Sequence, residues 1–342
     1  MQDAALEALF WPFQAGSLQW PSTNALFLRA RDGWPLREPQ WANVQCEQSF
    51  KPEFDALERS GLTVVESIDE SNRYPLILIL PPRQREESRA LFARAVGLLS
   101  PGGRVIAAIS NNEGARSGES DLSQLAGPLE VASKHKCRVF WTAPNATLDA
   151  RLQEAWRVLD APRQIASGTF ISRPGIFAWD RIDPASALLA EHLPDDLAGN
   201  AADLGAGFGY LTYELLQRCP DIASVDVFEA ESRALALAKQ NLQAFERRAK
   251  INYHWHDVAA GVQGKFDVIV TNPPFHAQRG VDRPDIGRRF ISVAAESLNR
   301  RGRLWLVANR HLPYESALSA EFGEVRTVTQ QHGFKIVEAI KR

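Results

Sequence analysis

Ala201-Ala202-Asp203-Leu204-Gly205-Ala206-Gly207-Phe208-Gly209-Tyr210-Leu211 decides the fold of this chain. A strand-like run ends at Leu204, glycines follow at alternate positions, and a helical pattern runs from Thr212 to Cys219. Glycines so placed let the backbone turn sharply out of a strand and approach a ligand where any Cβ would collide. The residues downstream of the loop give it weight. The strand candidate at residues 223–228 ends at Glu229, about 20 residues on, where the acid of a βαβ dinucleotide-binding-like unit meets ribose hydroxyls. A third candidate, residues 251–255, leads to His256-Asp257, whose carboxylate is placed to accept from an adenine amino group. A fourth, residues 266–271, ends at Asn272. Successive strand ends thus bring a glycine loop and polar side chains to one edge of a parallel sheet, the edge where such folds bind ligands.

That fourth strand closes on Asn272-Pro273-Pro274-Phe275, and the combination points to methyl transfer onto a planar amine. The lone pair of an arylamine or amide is delocalised, so the nitrogen must be held where it can aim at an electrophilic methyl. The Asn272 carbonyl can accept from one N–H and the backbone carbonyl of Pro273 from another. Two acceptors on one NH2 orient it and favour a pyramidal nitrogen. Phe275 offers a face for a flat base, a contact worth roughly 1–3 kcal/mol per base. A nicotinamide dehydrogenase shares the glycine loop and the acid but has no use for Asn-Pro-Pro-Phe. His254 and His256 have no cysteine or carboxylate cluster beside them, so no metal site is expected.

The order glycine loop, ribose acid, adenine acid, Asn-Pro-Pro-Phe resembles the S-adenosylmethionine-dependent methyltransferases that act on exocyclic amines. Asn272 to Phe275 followed by His276, an arginine-rich stretch, residues 302–309 and Leu312-Pro313-Tyr314 resembles the bacterial ribosomal RNA small subunit methyltransferase C family. Pro174-Gly175-Ile176-Phe177 with Asp180, Asp183 and Ser186 is similar to the segment that in this family precedes the loop and helps cover the cofactor. Ala206 stands where the family usually has Cys, and a small residue is kept. The resemblance implies methylation of the N2 amine of a guanine in 16S rRNA, within a small-subunit particle. It implies Asn272, Pro273, Pro274 and Phe275 as catalytic residues. Phe177, Asp203, Gly205, Ala206, Gly207, Gly209, Glu229, Asp257 and Asn272 are the implied cofactor contacts. A large-subunit rRNA guanine, an adenine N6, a protein glutamine amide and a catalytically silent RNA-binding protein stay open as alternatives.

At 342 residues with 45% apolar content, the chain is long enough for two cores. The fold expected is α/β, with two tandem Rossmann-like class I methyltransferase domains. Proline and glycine punctuation places the first at residues 1–160, a linker at 161–172 and the catalytic domain at 173–342. In the first half, Leu76-Ile77-Leu78-Ile79-Leu80-Pro81-Pro82 reads like the strand that ends at Pro273-Pro274, and residues 100–110 echo residues 301–309. Such internal similarity suggests duplication. Leu80 occupies the place of Asn272 and no glycine-rich loop follows a strand, so the first domain reads as a degenerate copy without the cofactor motif, serving RNA recognition or support.

There is no signal-like N-terminus and no apolar run of about 20 residues, so a cytoplasmic enzyme without membrane contact is the expectation. A monomer is expected as well, on no sequence feature of its own. Cys46, Cys137 and Cys219 are few and odd in number, which argues for thiols without a disulfide partner. The net charge of −2 marks no polyanion binder as a whole. Locally, Arg279, Arg283, Arg288 and Arg289 follow the Asn-Pro-Pro-Phe strand and are the candidate phosphate contacts, with Arg300, Arg301, Arg303 and Arg310 around the next one.

Overall fold

The computed structural model describes residues 3–38, 41, 43–274 and 284–342. These form two compact units: Met1–Pro162 with Arg173–Gly175, and Arg163–Ser172 with Ile176–Arg342.

In the first unit, α1 (Ala4–Gln14) precedes β1 (Ala25–Leu28), β2 (Val44–Glu47), α2 (Lys51–Arg59), β3 (Thr63–Val65) and β4 (Tyr74–Ile79). Then come α3 (Arg85–Gly97), β5 (Leu99–Ser110), α4 (Ala115–Ala126), β6 (Leu129–Lys134), β7 (Cys137–Thr142) and α5 (Ala150–Arg157). The strands make one seven-stranded sheet in the order β3-β2-β1-β4-β5-β7-β6, parallel except around β7. Leu76 to Ile79 read as an unbroken apolar run because helices cover both faces of the sheet. One face carries α1, whose Phe10 and Phe13 meet Trp20 and Trp41, and the two tryptophan rings lie 5.2 Å apart. Trp34, by contrast, is 75% exposed.

The second unit opens with a hairpin of β8 (Arg163–Ile165) and β9 (Phe170–Ser172), followed by α6 (Pro184–His192), β10 (Gly199–Leu204), α7 (Tyr210–Arg218), β11 (Ile222–Glu229) and α8 (Ser232–Leu242). β12 (Lys250–Trp255), β13 (Phe266–Thr271), α9 (Pro284–Ser297), β14 (Leu298–Asn309), α10 (Glu315–Glu321), β15 (Glu324–Gln331) and β16 (Phe334–Ile340) complete it. Its sheet order, β12-β11-β10-β13-β14-β16-β15, repeats that of the first unit strand for strand. α6, α7 and α8 pack on one face and α9 and α10 on the other.

The stretch expected as a linker, residues 161–172, is instead largely this hairpin. Phe170 packs with Phe208, Ala234 and Leu237, and Asn241 clamps the hairpin from α8. Its Oδ1 accepts from the Ile171 N–H at 2.8 Å, and its Nδ2 donates to the carbonyls of Ile171 and Phe208. A three-residue strand carries too little periodicity to be read from sequence.

The repeat extends to register. Leu28 faces Ile79 as Leu204 faces Thr271. Both sheets shift register at the same point, between Tyr74 and Leu76 and between Phe266 and Val268. With the sheets so aligned, Leu80 follows β4 where Asn272 follows β13. Arg29 stands where Gly205 stands, also with positive φ, and its guanidinium is bound at 2.7 Å to the buried Glu87. Gln48 stands where Glu229 stands: its Oε1 accepts from Phe50 N, two residues on, and its Nε2 donates to the Ala30 carbonyl at 2.6 Å.

Candidate active site

β10 ends at Leu204, and the chain bends under the end of β11, where the N–H groups of Gly205 and Ala206 both donate to the Phe228 carbonyl at 2.9 and 3.0 Å. The Gly207 N–H donates to Glu229 Oε2 at 2.7 Å, and Glu231 N–H donates to Glu229 Oε1 at 2.8 Å. The expected ribose acid is therefore also the buttress of the loop. Burial raises its carboxyl above the usual range, against the pull of those two amides. Each oxygen keeps a further lone pair for a hydroxyl donor. Gly209, at φ 90°, caps α7, and a Cβ there would stand 3.2 Å from Ala238 and Leu242 of α8. A Cβ on Gly207 would meet nothing within 4 Å, so the loop arches over open space beside Glu229.

Asp203 lies fully buried beneath the loop. Its Oδ2 accepts from Thr212 N at 3.1 Å and from Thr212 Oγ1 at 2.7 Å, whereas its Oδ1 is buried with no hydrogen-bond partner. Burial pushes this carboxyl up to about 7, the Thr212 hydrogen bonds opposing and the Glu229 charge adding to the rise. A buried acceptor of this kind costs free energy unless a ligand donor meets it.

Asn272 follows β13, where Thr271 Oγ1 ties the strand end to the Leu204 carbonyl at 2.7 Å. Its Nδ2 donates to Asp183 Oδ2 at 3.0 Å and to Ser186 Oγ at 2.8 Å, and its Oδ1 is buried without a partner. Pro273 is buried and Pro274 exposed. Phe275, His276, Arg279 and Arg283 lie outside the described residues. Asp257, past the end of β12, accepts at Oδ1 from the Ala259 N–H at 2.9 Å and starts a short turn of helix. Phe177 is 68% exposed, an unusual state for a large apolar ring.

Two histidines have structural partners: His254 Nε2 lies 2.6 Å from Asp226 and stacks on Phe228, and His256 Nε2 lies 2.5 Å from the Gly261 carbonyl. Among the described residues, no group of three His, Cys, Asp or Glu is placed to hold a metal ion. None of their helices is long and apolar enough to cross a membrane. The three cysteines are buried free thiols.

The arginines divide by position. Arg288 is exposed on α9, whereas Arg289 donates to the Ala259 carbonyl and pairs with Glu296 at 3.0 Å. Arg300, Arg301 and Arg303 lie at the start of β14, the opposite end of the parallel strands from Asn272, and Arg303 is held by Glu338 and Asp196. Their nearness in sequence to Asn272 does not carry them to its end of the sheet.

Sequence reasoning misses the joint between α6 and Asn272. Asp183-Pro184 is legible as a helix start, with a capping acid followed by proline at the first position. That the cap also holds an amide on a distant strand end is a tertiary fact. Thr212 likewise reads in sequence only as the first turn of a helix, not as the partner of Asp203.

The sheet order, the glycine loop buttressed by an acid and the Asn-Pro-Pro strand end define a Rossmann-like class I methyltransferase. The methyltransferase small domain family matches residues 167–338. The chain belongs to that family. It is 28% identical over 291 residues to the ribosomal RNA small subunit methyltransferase C of Psychromonas ingrahamii, covering 84% of this chain and 82% of the relative. It is 29% identical to the protein of that name from Alteromonas mediterranea, covering 85% and 76%. Among solved structures, a T. thermophilus 16S rRNA N2 methyltransferase in complex with AdoMet and guanosine matches with TM-score 0.80 and 26% identity, over 100% of this chain and 92% of that one.

Proposed function

We propose that this chain transfers a methyl group from S-adenosylmethionine to the exocyclic N2 amine of a guanine in 16S rRNA. The observation that carries the reading is the Asn272 Oδ1: a buried acceptor with no partner, at the strand end beside the glycine loop. Similarity along nearly the whole length of a 16S rRNA N2 methyltransferase supports the choice of substrate.

The residues fit the cofactor. Glu229 would take the ribose hydroxyls, Asp257 the adenine amino group, and the loop from Asp203 through Gly205, Ala206, Gly207 and Gly209 the remainder, with Phe177 as cover. When bound, S-adenosylmethionine supplies a methyl group already activated as a sulfonium. The protein positions the acceptor: Asn272 Oδ1 and the Pro273 carbonyl accept from the guanine amine, which aims its lone pair in line, and Phe275 stacks the base. The methylated nitrogen is cationic and strongly acidic, so its proton leaves without a dedicated base. A guanine held in a helix must first be unstacked, at a cost of a few kcal/mol.

The first unit serves as a degenerate copy that recognises or supports RNA, with Arg29, Gln48 and Leu80 at the places of Gly205, Glu229 and Asn272. Residues from about 173 onward, together with the preceding hairpin, carry catalysis. The enzyme works in the cytoplasm, as a monomer, on a small-subunit particle, and Arg288 with Arg279, Arg283 and Arg289 contacts phosphates. Mass mapping of rRNA nucleosides from cells with and without the gene tests the assignment. Loss of a single N2-methylguanosine from 16S rRNA is expected; loss of a mark from 23S rRNA instead would overturn it.

A further inference from the structure

We infer that Asp183 and Ser186 are positioning residues that fix which end of the Asn272 amide faces the reacting amine. This rests on the role assigned above to Asn272. The two ends of an amide are nearly alike in shape and opposite in function, so an unrestrained asparagine could present either a donor or an acceptor to the substrate. Here the choice is made by a carboxylate. Asp183 Oδ2 accepts from the Ser186 N–H at 2.9 Å, from Ser186 Oγ at 3.2 Å and from Asn272 Nδ2 at 3.0 Å. Ser186 Oγ, having donated to Asp183, is left to accept from Asn272 Nδ2 at 2.8 Å.

The three side chains close a ring in which every hydrogen has one place. An ionised carboxylate has no hydrogen to give, so the Asn272 carbonyl cannot turn toward it. The NH2 must face α6, and Oδ1 must face away, where it is buried and unpartnered. Donation to an anion also polarises the amide and makes its oxygen a stronger acceptor. Pro184 at the first helical position and Asp183 at the cap fix the start of α6, so the ring is anchored to a rigid element.

Asp183→Ser keeps a capping side chain but removes the oxygen that reaches Asn272. Assayed as full-length protein on small-subunit particles lacking the methyl group, it is expected to lose kcat by about tenfold or more, with the Kd for S-adenosylmethionine within about twofold. Asp183→Asn, which keeps a carbonyl oxygen in reach but brings N–H donors of its own and no charge, should recover only part of that loss. Ser186→Ala leaves the carboxylate and should cost about threefold, and it carries the test should Asp183→Ser unfold below assay temperature. In an Asn272→Ala background neither substitution should lower kcat further, because both act through that amide. Wild-type kcat in Asp183→Ser and Ser186→Ala, or losses that add to those of Asn272→Ala, would overturn the inference. Wild-type turnover in Asn272→Ala itself would instead remove the role assigned to Asn272.

Discussion

Thr212 gives both its backbone N–H and its hydroxyl to one oxygen of Asp203, and the other oxygen of that carboxylate is buried without a partner. Burial therefore raises the Asp203 carboxyl from 3.8 to about 7. A raised folded-state value means that the folded protein keeps a proton which the unfolded chain has already lost. The stability this group contributes is whole below about pH 4 and is lost as pH rises through 7. Chemical denaturation between pH 5 and 8 without S-adenosylmethionine should show this loss, and Asp203→Asn should flatten it. An identical slope in the variant would refute the assignment.

Cofactor binding should depend on the loop and its buttress. Gly205 sits at φ 81° with Phe290 at 3.4 Å from where a Cβ would stand, so Gly205→Val should abolish S-adenosylmethionine binding through backbone strain and crowding. Glu229→Ala removes the proposed ribose acceptor and also releases the Gly207 N–H, and should weaken binding measurably. Calorimetry on both variants, with wild-type affinity as the contrary result, decides it.

Asn272→Ala separates binding from chemistry. The lost acceptor is the one proposed to face the target amine, so S-adenosylmethionine affinity should hold while single-turnover methylation slows by about a hundredfold or more. Near-normal single-turnover rates would exclude this mechanism.

The duplicated sheet should bind one cofactor, not two. In the first unit Arg29 projects a side chain from the position of Gly205, and Gln48 donates inward where Glu229 accepts. Titration calorimetry should give one S-adenosylmethionine per chain, and a stoichiometry of two would contradict the degenerate reading.

Arginine position should govern RNA affinity. Arg288→Glu should weaken binding of the small-subunit substrate and lower the salt dependence by roughly one phosphate contact. Arg303→Met, at the far end of the sheet, should leave RNA affinity unchanged and reduce stability by about 1–3 kcal/mol, since it strips one partner from the buried Glu338. Filter binding over a salt series separates the two, and equal RNA effects would show that the division by strand end is mistaken.

The parallel sheet is legible in the sequence because strands covered on both faces read as apolar runs, and because Gly205 to Gly209, Glu229, Asp257 and Asn272 each mark a strand end. The hairpin at residues 163–172 is not, since its stability comes from Asn241 and Phe208 rather than from its own pattern. Arg300, Arg301 and Arg303 mislead for a related reason. Sequence distance from Asn272 says little about position when a parallel strand must return across the sheet before its neighbour begins, and Arg303 is placed at the far end by that return. The bond from Asn272 to Asp183 spans 89 residues and has no local signature.

The shared register shift, at Tyr74 and Leu76 in one sheet and at Phe266 and Val268 in the other, gives the chain an internal control. What both halves retain belongs to the scaffold: the strand order and the register shift between the fourth and fifth strands of each sheet. What only the second retains is the set proposed for the chemistry: a bare glycine, an acid and an amide. A substitution grafted from either half onto its counterpart thus asks, within a single polypeptide, which residues fold this architecture and which ones set it to work.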